Sequence, residues 1–467
     1  MRKEKRKNGD LMNMKKKMDS EENATIENGA DGNKNSRKKK KEKVRTRDIR
    51  WDRLDNTAHL FPVIAGESMS NVYRISVTLN ELVQPEFLQK ALDIVLPKFD
   101  GFNLRLCRGV FWYYFEENGK AAPRVREESN YPCRFIVQNR NHSYMFRVTY
   151  YKYRINLEVF HVLTDGMGGI NFLKELTYQY LRLVHPELSE KYGDSLHTDT
   201  SLNREDSFLK NYKKGSTNGY QRKKAYLIKG EKLSTGEFGV MHGYMSVAAL
   251  KEVSHRYGVS INEYLVSCYI WSVYTECLHA MPSKKPIRVA VPVNLRPYFN
   301  SVTTKNFFVM VSAEFHPTKE SYTFEEVVGI VRESLRSQIN KENLEKLFSY
   351  NVSNEKQILA RVVPLFLKNL AMRYVYTSSA LANTATVTNI GNIKVAKEYE
   401  PYIEMFHSFL AMSKGQHLKG TICSYKDTLV FSFSYDLVDP SVQRGFFRQI
   451  ASDGIQIEIE SNGVHYE

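Results

Sequence analysis

Nine consecutive residues bring together a histidine, a carboxylate and three glycines: His161-Val162-Leu163-Thr164-Asp165-Gly166-Met167-Gly168-Gly169. An imidazole titrates near neutral pH, so a histidine fixed at the end of an element can take a proton from a substrate hydroxyl or amine. Two other uses compete with that one. A metal site on His161 and Asp165 needs both side chains on one helical face, and Gly166, Gly168 and Gly169 argue against a helix there. No second histidine or cysteine pair accompanies them, so no metal is expected. A lone histidine is more often structural. Here the surroundings favour the base: apolar β-type residues run into His161, an Asp-Gly turn follows, and a helical pattern then resumes.

The elements that must position this turn can be read from periodicity. Ile155 to Phe160 is a strand that delivers His161, and a helix covers about Ile170 to Val184. Val72 to Leu79 alternates as a half-buried strand, and Pro85 opens a helix with Leu88, Ala91, Leu92 and Val95 on its apolar face. Short β-like runs fall at Val110–Phe115, Cys133–Val137 and Tyr144–Tyr150. From about residue 186 to 235 the periodicity is lost, which marks a crossing between two halves. The second half has strands near Phe238, at Arg288–Val293, Asn306–Phe315, Thr384–Thr388, Gly420–Tyr425 and Leu429–Tyr435. Its helices cover Ala248–Tyr257 and Ser441–Ser452, and two more start at the capping boxes Ser260/Glu263 and Thr323/Glu326. Strands and helices mix without strict alternation, so the fold class is α+β. The expected division is a tail at 1–48, a first lobe at 49–190, a crossing at 191–235 and a second lobe at 236–467.

Charge is unevenly placed. The chain of 467 residues carries a formal +15, and residues 1–48 supply over half of that excess. That zone has no aromatic residue and cannot bury enough surface to offset its ordering entropy, so it is expected to be disordered. Such a tail suits at most weak contact with an anionic membrane surface. A nucleic-acid-binding core would carry its basic charge on the folded surface, so no nucleic acid is expected there. The five cysteines, at 107, 133, 268, 277 and 423, show neither CxxC pairs nor metal spacing. Free thiols and the absence of an apolar run after the basic start suit a cytoplasmic protein. The most apolar stretch, Ile261 to Met281, is interrupted by Asn262, Glu263, Glu276 and His279 and reads as a buried helix.

The run His161 to Gly166 resembles the HxxxDG hallmark of the condensation-domain and chloramphenicol-acetyltransferase-like acyltransferases. That superfamily includes wax ester synthases, alcohol acetyltransferases and polyketide-associated acyltransferases. Phe160 stands where the doubled form has another histidine. Gly258-Val259-Ser260-Ile261-Asn262-Glu263 resembles the family's helix start, with Glu263 in place of Asp. Val291-Pro292-Val293-Asn294-Leu295-Arg296 resembles a strand end, and Lys305-Asn306-Phe307 and Thr388-Asn389-Ile390-Gly391 resemble two turns. Their order matches over about residues 51 to 452, and the Asp-Phe-Gly-Trp-Gly signature of plant-type relatives is missing.

The resemblance implies two chloramphenicol acetyltransferase-like α/β lobes in a V, with a channel between them and His161 at its midpoint. It implies an acyl-CoA-dependent O-acyltransferase of the alcohol acetyltransferase type, stand-alone rather than part of an assembly line. Acyl-CoA would be a co-substrate, with no permanently bound cofactor, and the acceptor a small-molecule or lipid-like alcohol. His161 would be the base. Asp165 would turn away from substrate to pair with an arginine across the site, for which Arg296 is the candidate, and Gly166 would let a backbone amide approach closely. Asn262, Asn294, Asn306 and Asn389 would orient loops at the channel. The rival reading is a non-catalytic binding or scaffold member of the same fold, which would have no use for an imidazole at position 161.

Overall fold

Three β-sheets organise the described residues. The computed structural model describes residues 50–215, 223–356 and 362–463, and the expected basic tail lies outside them. One sheet has five strands, in the order Ile403–Leu410, Val72–Leu79, Arg154–Phe160, Phe146–Tyr151 and Arg126–Glu127. A seven-stranded sheet runs Phe308–Phe315, Ile287–Asn294, Ala385–Asn392, Leu418–Tyr425, Thr428–Tyr435, Gly239–Ser246 and Glu458–Ser461. A small sheet of three strands joins Trp51–Arg53, Tyr113–Glu117 and Leu104–Arg108. The described residues cluster as one unit.

The five-stranded sheet does not stop at the first half of the sequence. Ile403–Leu410 pairs antiparallel with Val72–Leu79, so a late strand completes an early sheet. The crossing is likewise held down: Thr304 N–H donates to the Asn203 carbonyl at 2.7 Å, and Ala225 N–H donates to Leu381 at 3.0 Å.

Val72–Leu79 is buried on both faces rather than one. Tyr73, Ile75, Val77 and Leu79 belong to a core shared with Leu88, Leu92, Phe172 and Leu176 of the helices Pro85–Val95 and Gly166–Val184. On the opposite face Arg74 ion-pairs with Glu158 at 2.7 Å and also with Glu128, and Ser76 donates to Asn156 at 2.7 Å. Buried polar groups persist there because they satisfy one another. The second core gathers the helices Ile261–Ser272, Phe324–Gln338 and Ser441–Ser452 on the seven-stranded sheet. Both capping boxes form, at Ser260/Glu263 and Thr323/Glu326.

One expected strand is absent. Cys133–Val137 is irregular, with Cys133 at φ +57° and its N–H given to the Glu158 carboxylate at 2.6 Å instead of to a neighbouring strand. All five cysteines are free thiols. Among the described residues no helix is long and apolar enough to cross a membrane, and no group of side chains could hold a metal ion.

Two histidines meet where the five- and seven-stranded sheets touch. The rings of His242 and His407 lie 4.6 Å apart, and the His407 Nε2 and the Tyr244 hydroxyl are 3.0 Å apart. Burial pushes the His242 imidazole down to about 3 and that of His407 well below its usual value. A base whose folded pKa is depressed favours folding fully above its unfolded value, near 6.5, and loses that contribution as pH falls below it. The melting temperature should therefore drop steadily from pH 6.5 towards 4, and His407→Leu should flatten that limb. Identical acid profiles for the two proteins would contradict this.

Candidate active site

His161 follows directly on the strand Arg154–Phe160, and its N–H donates to the Asn71 carbonyl at 3.0 Å. Its ring stacks on Phe61 at 4.7 Å between centroids, with the edge contact of Tyr73 at 5.1 Å and Phe308 at 5.7 Å. Phe61 comes from a four-residue helix, Phe61–Ile64, that opens with a proline in its first turn. Three aromatic side chains thus confine the imidazole. Burial lowers its pKa, against the opposing charge of Asp165 and its contacts with its own backbone and Asn306, while Lys419 adds to the lowering. Lys419 is itself buried, giving its ammonium to the Ala411 carbonyl at 2.7 Å, and burial brings its own pKa to about 7. At neutral pH the His161 imidazole is therefore uncharged.

Its tautomer follows from the neighbours. The Asn306 amide nitrogen donates to Asp55 Oδ2 at 2.9 Å, which turns the amide oxygen towards His161 Nδ1 at 3.1 Å. An amide oxygen only accepts, so Nδ1 carries the proton and Nε2 holds the lone pair. Asp55 also receives the N–H of Ala58 at 2.8 Å and that of Asn306 at 3.3 Å. Burial raises its carboxyl to about 6 in spite of these donors, so it is ionised above that pH.

Asp165 and Arg296 form a two-pronged ion pair, Oδ2 to Nη1 at 2.8 Å and Oδ1 to Nη2 at 3.0 Å. The pair does more than hold the turn. Arg296 donates to the carbonyls of Thr303 and Lys305, each at 2.8 Å, and Asp165 Oδ2 accepts the N–H of Phe307 at 3.1 Å. Asn306 is thereby anchored from the residue before it and the residue after it. Asn294 supports the same group, its side-chain oxygen accepting from Arg296 N at 3.1 Å and Nη1 at 3.2 Å.

The glycines behave differently from the sequence-based expectation. They do not keep the chain out of a helix: Gly166 is the first residue of Gly166–Val184, and the Asp165 side chain caps it by accepting from Gly168 N at 3.2 Å. The helix starts early because packing at the cap offsets the roughly 1 kcal/mol that each glycine costs there. A Cβ at Gly168 would lie 2.5 Å from the Thr304 carbonyl oxygen, and one at Gly169 would lie 2.7 Å from the Tyr73 hydroxyl. These two glycines admit their neighbours. Gly166 is under no such demand, since a Cβ there would meet only Ile390 at 3.6 Å.

Of the four asparagines, Asn306 reaches His161 and Asn294 reaches Arg296. Asn262 and Asn389 instead approach each other at 3.4 Å on the exposed surface, and Asn389 closes its own turn onto Gly391 N at 2.8 Å.

No protein-family model matches the sequence, and no curated protein matches it. Solved structures do match the fold. Polyketide synthase associated protein 5 from Mycobacterium tuberculosis aligns over 86% of this chain and 97% of its own, with a TM-score of 0.57 and 11% identity. Trichothecene 15-O-acetyltransferase from Fusarium sporotrichioides aligns over 86% and 94%, with a TM-score of 0.54 and 10% identity. The condensation domain of the Monacolin K polyketide synthase MokA aligns over 87% and 97%, with a TM-score of 0.53 and 9% identity. The chain has the condensation-domain fold.

Within this condensation-domain fold, His161 comes off a strand of the five-stranded sheet. Arg296 and Asn306 come from the connection between two strands of the seven-stranded one. The groups that sequence reasoning missed are Asp55, Phe61, Tyr73 and Lys419. Asp55 sits in Trp51-Asp52-Arg53-Leu54-Asp55, where a second aspartate and no recurring spacing offer nothing to single it out. Only its burial, at 2% exposure, and its bonds to Asn306 reveal it.

Proposed function

We propose that this protein transfers an acyl group from an acyl-CoA thioester to the hydroxyl of a small-molecule or lipid-like alcohol, with His161 as general base. The observation that carries the reading is the fixed, neutral imidazole, with Nδ1 bound to Asn306 and Nε2 making no hydrogen bond among the described residues. Nε2 takes the hydroxyl proton as the acceptor oxygen attacks the thioester carbonyl. The carbon–oxygen bond forms, the carbon–sulfur bond breaks, and the imidazolium returns its proton to the departing thiolate. No acyl group is ever carried by the protein. Asp165 and Arg296 serve by placing Asn306, and Asn306 by fixing the tautomer. The fold of an acetyltransferase and of condensation domains agrees with acyl transfer and leaves donor and acceptor to experiment.

A thiol-release assay with acetyl-CoA and mixed alcohols tests the reading. Release that depends on the alcohol supports it. Equal release with and without any alcohol rejects it.

Asp55 gives a sharper check of the tautomer argument. In Asp55→Asn the new amide can donate to Asn306, turn that side chain over and present its nitrogen to His161. The wrong tautomer would then be favoured, and turnover should fall roughly 10–100-fold, a milder form of what the triad aspartate shows. Stability should move the other way. An acid whose folded pKa is raised weakens folding at pH above that pKa, near 6, and the penalty disappears below its unfolded value, near 3.8. Asp55→Asn should therefore keep or raise the melting temperature at pH 7 while losing turnover. A loss of both together would make Asp55 merely structural.

A further inference from the structure

We propose that the exposed apolar face of the helix Leu365–Ala380 docks the protein onto an anionic lipid surface. One side of this helix is fixed to the body. Leu365 is buried and its N–H donates to the Val110 carbonyl at 2.9 Å, Asn369 donates to the Tyr113 hydroxyl at 3.1 Å, and Arg373 Nε donates to the Val63 carbonyl at 2.8 Å. The opposite side carries Phe366, Leu367, Leu370, Ala371, Tyr374 and Val375, all exposed. Phe366, Leu370 and Tyr374 follow one another at helical spacing with exposures of 57%, 63% and 76%. Apolar side chains on a body-facing stripe would be ordinary, but a second stripe pointing outward is a contact surface. The tip of the hairpin that holds Leu365 extends it, with Val110 72% and Phe111 43% exposed.

Charge selects the occupant. From Lys356 to Lys397 the sequence has the cations Lys356, Arg361, Lys368, Arg373, Lys394 and Lys397 and not one Asp or Glu. Residues 1–48 are basic as well, and the whole chain stands at +15. An apolar helix face in a wholly cationic stretch is the pattern of a helix lying in a membrane interface, where buried apolar area and attraction to anionic lipid add. A second copy of this chain would bring the same sign of charge to the contact. The site also places the surface near the chemistry. The short helix whose Val63 holds Arg373 also supplies the Phe61 ring stacked on His161. The docking itself rests on the exposed face and the charge, whatever reaction His161 serves.

The test is flotation of the full chain with vesicles of phosphatidylcholine and phosphatidylglycerol, against phosphatidylcholine alone. Binding to the anionic vesicles is expected, and Phe366→Glu/Leu370→Glu should weaken it roughly 10–100-fold with an unchanged melting temperature. Tyr374→Trp supplies a second readout that needs no loss of function: its emission should shift to the blue when the anionic vesicles are added. Three results would overturn the proposal. One is the absence of binding. Another is equal binding by the double variant together with complete loss on deleting residues 1–48. The last is a parent dimer that the double variant converts to a monomer, which would make the face a self-association or protein surface.

Discussion

His161→Ala is expected to fold like the parent chain and to lose about 10²–10⁴-fold in turnover, the usual cost of removing a general base. The ring is confined by Phe61, Tyr73 and Phe308 and, among the described residues, makes a single side-chain hydrogen bond, to Asn306. Its removal opens a small space and leaves one amide oxygen unpaired, costs that a domain of this size tolerates. Circular dichroism and the melting temperature should therefore stay close to the parent's while the acceptor-dependent rate collapses. The parent's own rate should fall on the acid side. His161 is held below its usual 6.5 and must be neutral, and Asp55, near 6, must be ionised to keep the tautomer. Parent-like turnover in a well-folded His161→Ala protein would end the general-base account.

The second large effect is expected at the ion pair of Asp165 and Arg296. Both side chains are almost fully buried, at 8% and 11% exposure. Removing one partner strands the other's charge, typically at about 3–5 kcal/mol. Asp165→Asn and Arg296→Gln should each lower the melting temperature by several degrees, and the double variant should lose less than the sum. Turnover should fall too, even at temperatures where the variants stay folded. The reason is positional: the pair grips the Lys305 carbonyl and the Phe307 amide on either side of Asn306. A purely structural pair would lower stability and leave the rate of the folded fraction alone. Strictly additive losses would show that the two side chains act independently.

Much of the site was legible because local chemistry wrote it. A β-type run into His161 and an Asp-Gly turn needed no long-range knowledge, and the two S/T-x-x-E boxes marked their helix starts from within four residues. The family pattern suggested Arg296 as the partner of Asp165, and the geometry brings them together across 131 positions. What stayed hidden was set by distant packing. The bond from Asn306 to Asp55 spans 251 positions, and no spacing rule reaches that far. Ile403–Leu410 reads poorly as a strand because Glu404, His407 and Ser408 break its alternation. It is a strand because Val72–Leu79 offers a free edge and the meeting sheets bury His407 and Ser408, while Glu404 stays exposed. The half-buried appearance of Val72–Leu79 had the same origin: Arg74 and Ser76 look solvent-facing until Glu158 and Asn156 are seen to bind them. The glycines of the motif misled for the opposite reason. Their low helix propensity is real, but Thr304 and Tyr73 press so closely on Gly168 and Gly169 that no larger residue fits.

On the proposed mechanism the acyl group passes straight from the thioester to the acceptor, with His161 as base and no acylated protein on the way. A single-turnover experiment with acyl-labelled acetyl-CoA, followed with and without alcohol, addresses it most directly. Label is expected in the ester only when alcohol is present, with one free CoA thiol for each ester and none on the protein at any time. Label bound covalently to the protein before alcohol is added, or no labelled ester from any alcohol tried, would contradict it.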